Sequence, residues 1–408
     1  GMMGVTGFAA ACVSQPTGSG VALDGVSGEV LLPPGFSVRL VALSGQPNAT
    51  GYAMPSFPDG AATFVDPSVP GGWYLTVNHE VPGGGGVSSF RFAPDGTIIG
   101  SRRILSGTWL NCAGGATPWG TWLSCEEFDL GRVWECDPTG VAGSAVRPAL
   151  GAFAHEAAAV ARDGRVYMTE DRPSGGFYRF TPDSPGDLSS GLLEVATGVA
   201  PGPVTWVRVP DPSGLPVLVR HQVPALMAFD GGEGIDTLGD SVWFTTKGAD
   251  RVWLYDLATG RVSLRFQGGG ASMLSGVDNL WVDDASAALL VAEDGDDMQL
   301  VAIRPDNTLL EVVRILGQDH SEITGPCFSP DGTRLYYSSQ RGGTEDAPTV
   351  IGSDHPRHEG RKAGITYEIS GPFRGATLLA VTGVGKPDPT PETTPREASS
   401  TRGDAPST

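Results

Sequence analysis

WYLTVNHE at residues 73–80 sets the pattern that decides this fold: a large apolar residue, a small residue, then polar residues able to hold a ligand. Five further stretches repeat it: TWLSCEE at 121–127, VYMTED at 166–171, VWFTTK at 242–247, LLVAED at 289–294 and LYYSSQ at 335–340. Turn signals precede most of them, among them Ala161-Arg162-Asp163-Gly164, Asp283-Asp284-Ala285 and Ser329-Pro330-Asp331-Gly332. Asp-Gly between apolar runs marks a hairpin turn. Counted from Tyr74, Trp122 and Tyr167 the spacing is 48 and 45 residues, and from Trp243, Leu290 and Tyr336 it is 47 and 46. Short strands recurring with a period near 45 are the mark of a β-propeller. Six anchors predict an all-β, six-bladed propeller with irregular insertions. The longer gap from 167 to 243 holds a Pro-rich insertion near 181–215 and leaves a seventh blade open around Trp206. A pair of Gly-rich β-sandwiches is the alternative fold.

The chain has 408 residues with 59 Gly and 33 Pro, and hydrophobic residues still make up 40%. That is enough for a large core without disulfide staples. With 46 Asp+Glu against 27 Lys+Arg the net charge is −19. A surface that binds nucleic acid needs a basic footprint, so that class is excluded. No apolar run is long enough for a transmembrane helix. Residues 21–385 are expected to form one propeller domain acting as a monomer. Segment 1–20 contains GFAAACV at 7–13, read either as the remnant of an export signal ending near Cys12 or as a mobile end, after a Gly1 that reads as a cloning scar. Segment 386–408, rich in Pro, Thr and Ser, is expected to be a disordered tail. The cysteines lie at 12, 112, 125, 136 and 327. A Cys112–Cys136 disulfide is left open, and a small buried hydrophobe is the default reading of any one of them.

The chemistry follows the repeat. The anchor strands run into Asn78-His79-Glu80, Cys125-Glu126-Glu127, Glu170-Asp171, Thr246-Lys247, Glu293-Asp294 and Ser339-Gln340. A second polar set lies one strand and one turn upstream: His155-Glu156, Glu233-Gly234, Asp278-Asn279 and Glu322-Ile323-Thr324-Gly325. In an antiparallel hairpin the start of the first strand and the end of the second lie at the same end. If the first strand lines the propeller axis, both sets converge on one rim of its channel. An isolated acid pair at a strand end is ordinarily a solvated turn, but five in register are not. So many carboxylates repel one another unless cations compensate, and the chain has only Lys247, Lys362 and Lys386 as lysines. Metal ions are the natural compensation. Carboxylates suit Ca²⁺, whereas a thiolate implies a transition metal such as iron, which makes Cys125 the most informative candidate. His79 and His155 divide evenly between ligand and core roles. His320, His355 and His358, with Glu345, Asp346 and Asp354, read as solvated loop residues.

These motifs resemble the PhoX family of bacterial alkaline phosphatases: Asn78-His79-Glu80, Trp119 through Glu127, His155-Glu156 followed by Tyr167 through Asp171, Glu233-Gly234, Ala292 through Gly295, and Ser321 through Pro326. The resemblance runs in order from about 73 to 341. It implies a six-bladed propeller with Fe³⁺ and Ca²⁺ on its axis, export from the cytoplasm, and hydrolysis of small phosphate monoesters. It also implies Cys125 as the iron-bridging thiolate, with Glu126, Glu156, Glu233, Glu322 and one of Glu293 or Asp294 as metal ligands. The registered carboxylates add Glu80, Glu127, Glu170, Asp171 and Asp278 as metal candidates, together with His79. No nucleophilic Ser is then needed, and neither a G-x-S-x-G elbow nor a P-loop is present. The chain departs from the family in being short and in lacking a basic residue across Phe229-Asp230-Gly231-Gly232-Glu233-Gly234. Lys247 or Arg341, each just after an anchor strand, is expected to contact phosphate instead. The competing functions are a propeller hydrolase using Ca²⁺ alone, of lactonase or phytase type, and a non-enzymatic propeller stapled by metals.

Overall fold

The computed structural model of the chain describes residues 19–269, 272–294, 297–342 and 363–373. The expectations for Cys12, for the loop residues His355, His358, Glu345, Asp346 and Asp354, and for the tail 386–408 lie outside them. The described residues form six antiparallel sheets, one per blade. Their innermost strands are Pro58–Val65, Asn111–Ala116, His155–Val160, Gly232–Leu238, Val277–Val282 and Ile323–Phe328. These define blades 1 to 6. The second strands are the repeated anchors, Trp73–His79, Trp122–Glu126, Val166–Glu170, Ser241–Thr246, Leu289–Glu293 and Arg334–Ser339.

The anchors are apolar because each lies mid-blade, covered by the neighbouring blades on both faces. Every residue of Trp73–His79 and of Val166–Glu170 is buried. Aromatic residues fill the wedges between blades, where sheets fanning from an axis leave the most room. Phe177 stacks on Phe244 at 4.6 Å between blades 3 and 4. Trp73 Nε1 donates to the Tyr336 hydroxyl at 3.1 Å, tying blade 1 to blade 6. The ring is closed by the N-terminal part of the chain: Ser37–Leu43 is the outermost strand of blade 6, paired with Ile365–Ser370. Blade 5 likewise gains Glu29–Leu32 and Ser19–Ala22 on its outer edge.

Among the described residues there is no seventh blade. Trp206 lies on Thr205–Arg208, a fifth strand at the edge of blade 3, while Gly202–Pro203 pairs with the edge of blade 4. The long gap therefore widens two blades. The Cys112–Cys136 disulfide is also absent: both residues are free thiols, with Cys136 in the apolar wedge between blades 1 and 2 and Cys112 at the axis.

One local device recurs in all six blades. On the innermost strand, three residue steps span what the second strand covers in two: Pro58 to Ala61, Asn111 to Gly114, His155 to Ala158, Gly232 to Ile235, Val277 to Leu280 and Thr324 to Cys327. Such a bulge bends the strand and re-aims a side chain. The first residue inside each bulge is Asp59, Cys112, Glu156, Glu233, Asp278 and Gly325 in turn.

Candidate metal centre

Five of the six bulges therefore carry a potential ligand toward one end of the axis. In blade 6 the bulge residue Gly325 has φ +58°, and a Cβ there would stand 2.5 Å from the Asp59 carbonyl oxygen. No side chain fits, and Glu322, just before the strand, supplies the carboxylate instead. Asp59, Cys112, Glu156, Glu233, Asp278 and Glu322 make a lower ring, one residue per blade; its five carboxylates are all buried. The residues that follow the second strands make an upper ring of Glu80, Glu127, Asp171, Lys247, Asp294 and Arg341. Apart from Glu80 these are half-exposed. Together with Phe57 and Gln340, every member of the two rings except the deeper Asp59 lines a cavity of about 160 Å³.

Nine carboxylates and a thiol here face two cations of the upper ring. Lys247 Nζ lies 2.8 Å from Glu233 and 3.2 Å from Asp171, and Arg341 lies 3.1 Å from Glu322 and 3.8 Å from Asp294. Arg172, outside the ring, reaches Glu127 at 3.3 Å. Burial first, and then neighbouring carboxylates, push Asp59 and Glu156 well above the ordinary carboxyl range. Burial likewise raises Glu127, Glu233 and Glu322 well above it, despite Lys247 or Arg341 nearby. Asp278 is pushed up to about 7, mainly by burial. The Cys112 thiol is pushed well up by burial and by Asp59 and Glu156, whose oxygens lie 3.5 and 3.4 Å from its sulfur. In the metal-free protein it is a thiol, and only a strongly charged ion would make it a thiolate.

The residues fit metals. One atom from each of Asp59, Glu80 and Cys112 lies within 4.8 Å of the others, and the same holds for Cys112, Glu127 and Glu156, for Glu156, Glu233 and Asp278, and for Asp278, Asp294 and Glu322. Neighbouring triplets share Cys112, Glu156 and Asp278, so they form a continuous arc around the axis. Asp59 Oδ1 is buried with no hydrogen-bond partner, a state that costs roughly 1–3 kcal/mol unless something occupies it. Acidic clusters arise without ions, but buried, shared and under-satisfied ones call for them.

Neighbours fix the position of Cys112. Asn78 Nδ2 donates to the carbonyls of Cys112 and Ala113 at 2.9 and 2.8 Å. Asn78 Oδ1 accepts from Trp122 Nε1 and Ser124 Oγ, both at 2.8 Å. The Trp119–Glu127 motif thus acts on the channel through the bulge beside it.

The structure corrects several expectations. Cys125 does not reach the channel: it is fully buried in the apolar wedge with Leu123, Val133 and Met168, where desolvation raises its thiol pKa. The channel thiol is Cys112, which the motif reading passed over. Glu126 turns away and accepts from the backbone N–H groups of Trp109 and Arg132 at 2.9 and 3.1 Å. Glu170 accepts from Gly176 N–H and the Tyr178 hydroxyl and pairs with Arg220. Glu293 accepts from Ser275 N–H at 2.8 Å. His79 hydrogen-bonds to Ser88 and Ser56, and His155 to the Gly151 carbonyl. All of these brace loops beside the channel. In each acid pair only the second residue lines it, because successive residues of a strand point to opposite faces. Glu80, Glu127, Glu156, Asp171, Glu233, Lys247, Asp278, Asp294, Glu322 and Arg341 all line the one cavity. The sequence held a signal for the two missed residues. Glu233 lies ten residues before its anchor Trp243 and Glu322 fourteen before Tyr336; Cys112 lies ten before Trp122 and Asp59 fifteen before Tyr74.

Comparison with known proteins agrees with this geometry. The family model for alkaline phosphatase PhoX matches residues 97–132 and 128–252. Among solved structures, the chain is similar to Pseudomonas fluorescens PhoX in complex with vanadate, a transition state analogue, at 18% identity and a TM-score of 0.67, covering 88% of this chain and 97% of that one. It is also similar to a gluconolactonase from Xanthomonas campestris at 14% identity and a TM-score of 0.50, covering 88% of this chain and 99% of that one. At such identities the structural likeness is one of fold. No curated protein matches the chain. The chain resembles the PhoX alkaline phosphatases in sequence from the last strand of blade 1 into blade 4, and in the fold of the whole propeller.

Proposed function

We propose that this protein is a metal-dependent phosphomonoesterase with its centre in the axial channel. The observation that carries the reading is Cys112, the one thiol in an arc of carboxylates, placed where two ligand triplets meet. Asp59, Glu80 and Cys112, and Cys112, Glu127 and Glu156, each offer oxygen with sulfur, which suits iron as Fe³⁺. The other two triplets offer only oxygen and suit Ca²⁺. Bound there, the ions would supply Lewis-acid charge for the phosphoryl oxygens.

The chain's own residues set the rest. Lys247 and Arg341 stand at the half-exposed rim, each held by carboxylates that belong to ligand triplets or adjoin them. Once those carboxylates are engaged below, the two cations are free to donate to the phosphate oxygens and orient the ester, the task expected of a basic residue near Glu233. No Ser, Thr or His is among the lining residues described, so the proton of an attacking water passes to a carboxylate or to solvent. The buried lower ring excludes bulk water and strengthens every interaction made there. Export to the periplasm or beyond is part of the proposal and rests on the family resemblance; fractionation of the producing cell tests it.

Elemental analysis of protein purified without chelators, followed by a panel of phosphomonoesters, tests the reading. Iron with calcium, and turnover inhibited by vanadate, are expected. Calcium alone with lactone hydrolysis would instead support the reading that the two oxygen-only triplets favour, a Ca²⁺ hydrolase of the gluconolactonase kind.

A further inference from the structure

Outside the channel, at the same end of the propeller, a second cavity of about 270 Å³ opens at the junction of blades 3 and 4. Phe229, Met227 and Trp253 line it and are almost fully buried, with Asp230 and Arg251 at its edge. Its aromatic wall is fixed: Trp253 Nε1 donates to Thr246 Oγ1 at 3.1 Å, and Phe229 meets the Trp253 ring edge-on at 5.5 Å. The Arg251 guanidinium lies over the same indole, 5.7 Å from its centroid.

The wall between this cavity and the channel is thin. Thr246 and Asp230 line the cavity, while the next residue, Lys247, and nearby Glu233 line the channel. Glycines make the partition. A Cβ on Gly231 would stand 3.0 Å from Lys247 Cγ and 3.2 Å from Asp171 Oδ1, and one on Gly248 would stand 2.2 Å from Asp230 Cγ. Gly231 and Gly248 therefore keep the aromatic cavity close to the rim cation.

We propose that this cavity is the subsite for the alcohol half of the ester and takes a flat aromatic group; this rests on the phosphatase reading of the channel. A phosphate held beside Lys247 directs its ester oxygen outward over the Gly231–Gly248 partition, with the aromatic-walled cavity next along the surface. Size agrees: a dry apolar cavity of roughly 150 Å³ holds benzene, so this one accommodates a substituted ring or a fused pair. Chemistry agrees as well, since an aromatic wall with a guanidinium above it favours π-faces over aliphatic polyols.

The test fills the cavity from its solvent-exposed lip, away from the channel, with Ala228→Trp and separately Val199→Trp, both on the metal-loaded protein and each checked by its melting temperature. The expected result is a roughly tenfold or greater loss in kcat/KM for phenyl phosphate, the equivalent of about 1.4 kcal/mol of contact, with glycerol phosphate within about twofold of wild type. Equal losses for both esters, or none, would overturn the subsite. Should wild type turn over neither ester, the phosphatase reading fails by itself, and the cavity is then read by saturation-transfer NMR with 4-nitrophenol. A signal abolished by either substitution supports an aromatic site; no signal with wild type, or one unchanged in both variants, overturns it.

Discussion

Replacing Cys112 and replacing Cys125 by Ala should have opposite signatures. Cys125 fills a fully buried apolar position, so Cys125→Ala removes one sulfur from a close-packed wedge and costs about 1–2 kcal/mol, read as a few degrees of Tm. Metal content should not change. Cys112 lines the channel and is protonated without metal, so Cys112→Ala removes little packing and should barely move the Tm of the chelated protein. Its effect appears on loading. Cys112 belongs to two triplets, and its loss leaves each with two protein donors. Losing a partner merely hydrogen-bonded to a ligand costs roughly 10- to 100-fold in metal affinity, and a ligand itself should cost at least the upper figure. With free metal 100-fold above Kd, wild type gains about 2.7 kcal/mol from a bound ion. A variant binding ~100-fold more weakly gains RT ln 2, about 0.4 kcal/mol. Paired thermal melts with and without iron, with metal content measured on the same samples, decide the matter. Full iron content and a full metal-dependent rise in Cys112→Ala, with both lost in Cys125→Ala, would refute the assignment.

Lys247→Met and Arg341→Met should each lower kcat/KM on phosphomonoesters by about 10²-fold, the usual loss for one preorganised donor, with metal content retained; unchanged turnover in both would remove the cations from phosphate binding. Asn78→Ala leaves the Cys112 and Ala113 carbonyls without a donor, which should destabilise the fold by about 2–4 kcal/mol and weaken metal binding; a melt indistinguishable from wild type would contradict this. Stability of the chelated protein should fall between about pH 6.5 and 8. Asp278 and Glu293, held at about 7 and 8, bind protons more tightly folded than unfolded, so the stability they lend at low pH is lost as pH rises. Below that window the buried His155, lowered to about 3, acts in the opposite direction. Calcium should reverse the trend, because ligands must lose their protons to bind it; a chelated Tm that climbs from pH 6.5 to 8 would show the carboxylates ionise freely.

Much of the propeller was legible because its middle strands obey simple rules. They are apolar on both faces and end in polar residues, so sequence spacing alone counted the blades. The innermost strands obey different rules. Asn111–Ala116 reads Asn-Cys-Ala-Gly-Gly-Ala, poor in the branched and aromatic residues that favour strands. It is a strand because of its surroundings: a Cβ on Gly114 would stand 1.9 Å from the Leu123 carbonyl oxygen, and one on Gly115 1.7 Å from that of Ala158. Only glycine fits at these two positions. The feature that hid Cys112 among glycines is the crowding that puts it at the centre. The anchor pairs misled for another reason. Where two polar residues end a strand, composition does not say which one faces the axis, and the ladder places the first of each pair against a loop.

The closing strand has a consequence for how the protein matures. Gln340 donates to Asp59 and to Glu80 inside the channel, bridging the last blade and the first across 281 and 260 residues of chain. Blade 6 is itself complete only when Ile365–Ser370 finds Ser37–Leu43, made long before it. A nascent chain therefore exposes its acidic residues one blade at a time, as scattered weak chelators, and gains the joined arc of ligands only once the circle shuts. If the channel binds metal as proposed, loading is a checkpoint on closed molecules, and a chain that stalls before Ile365–Ser370 stays both open and empty.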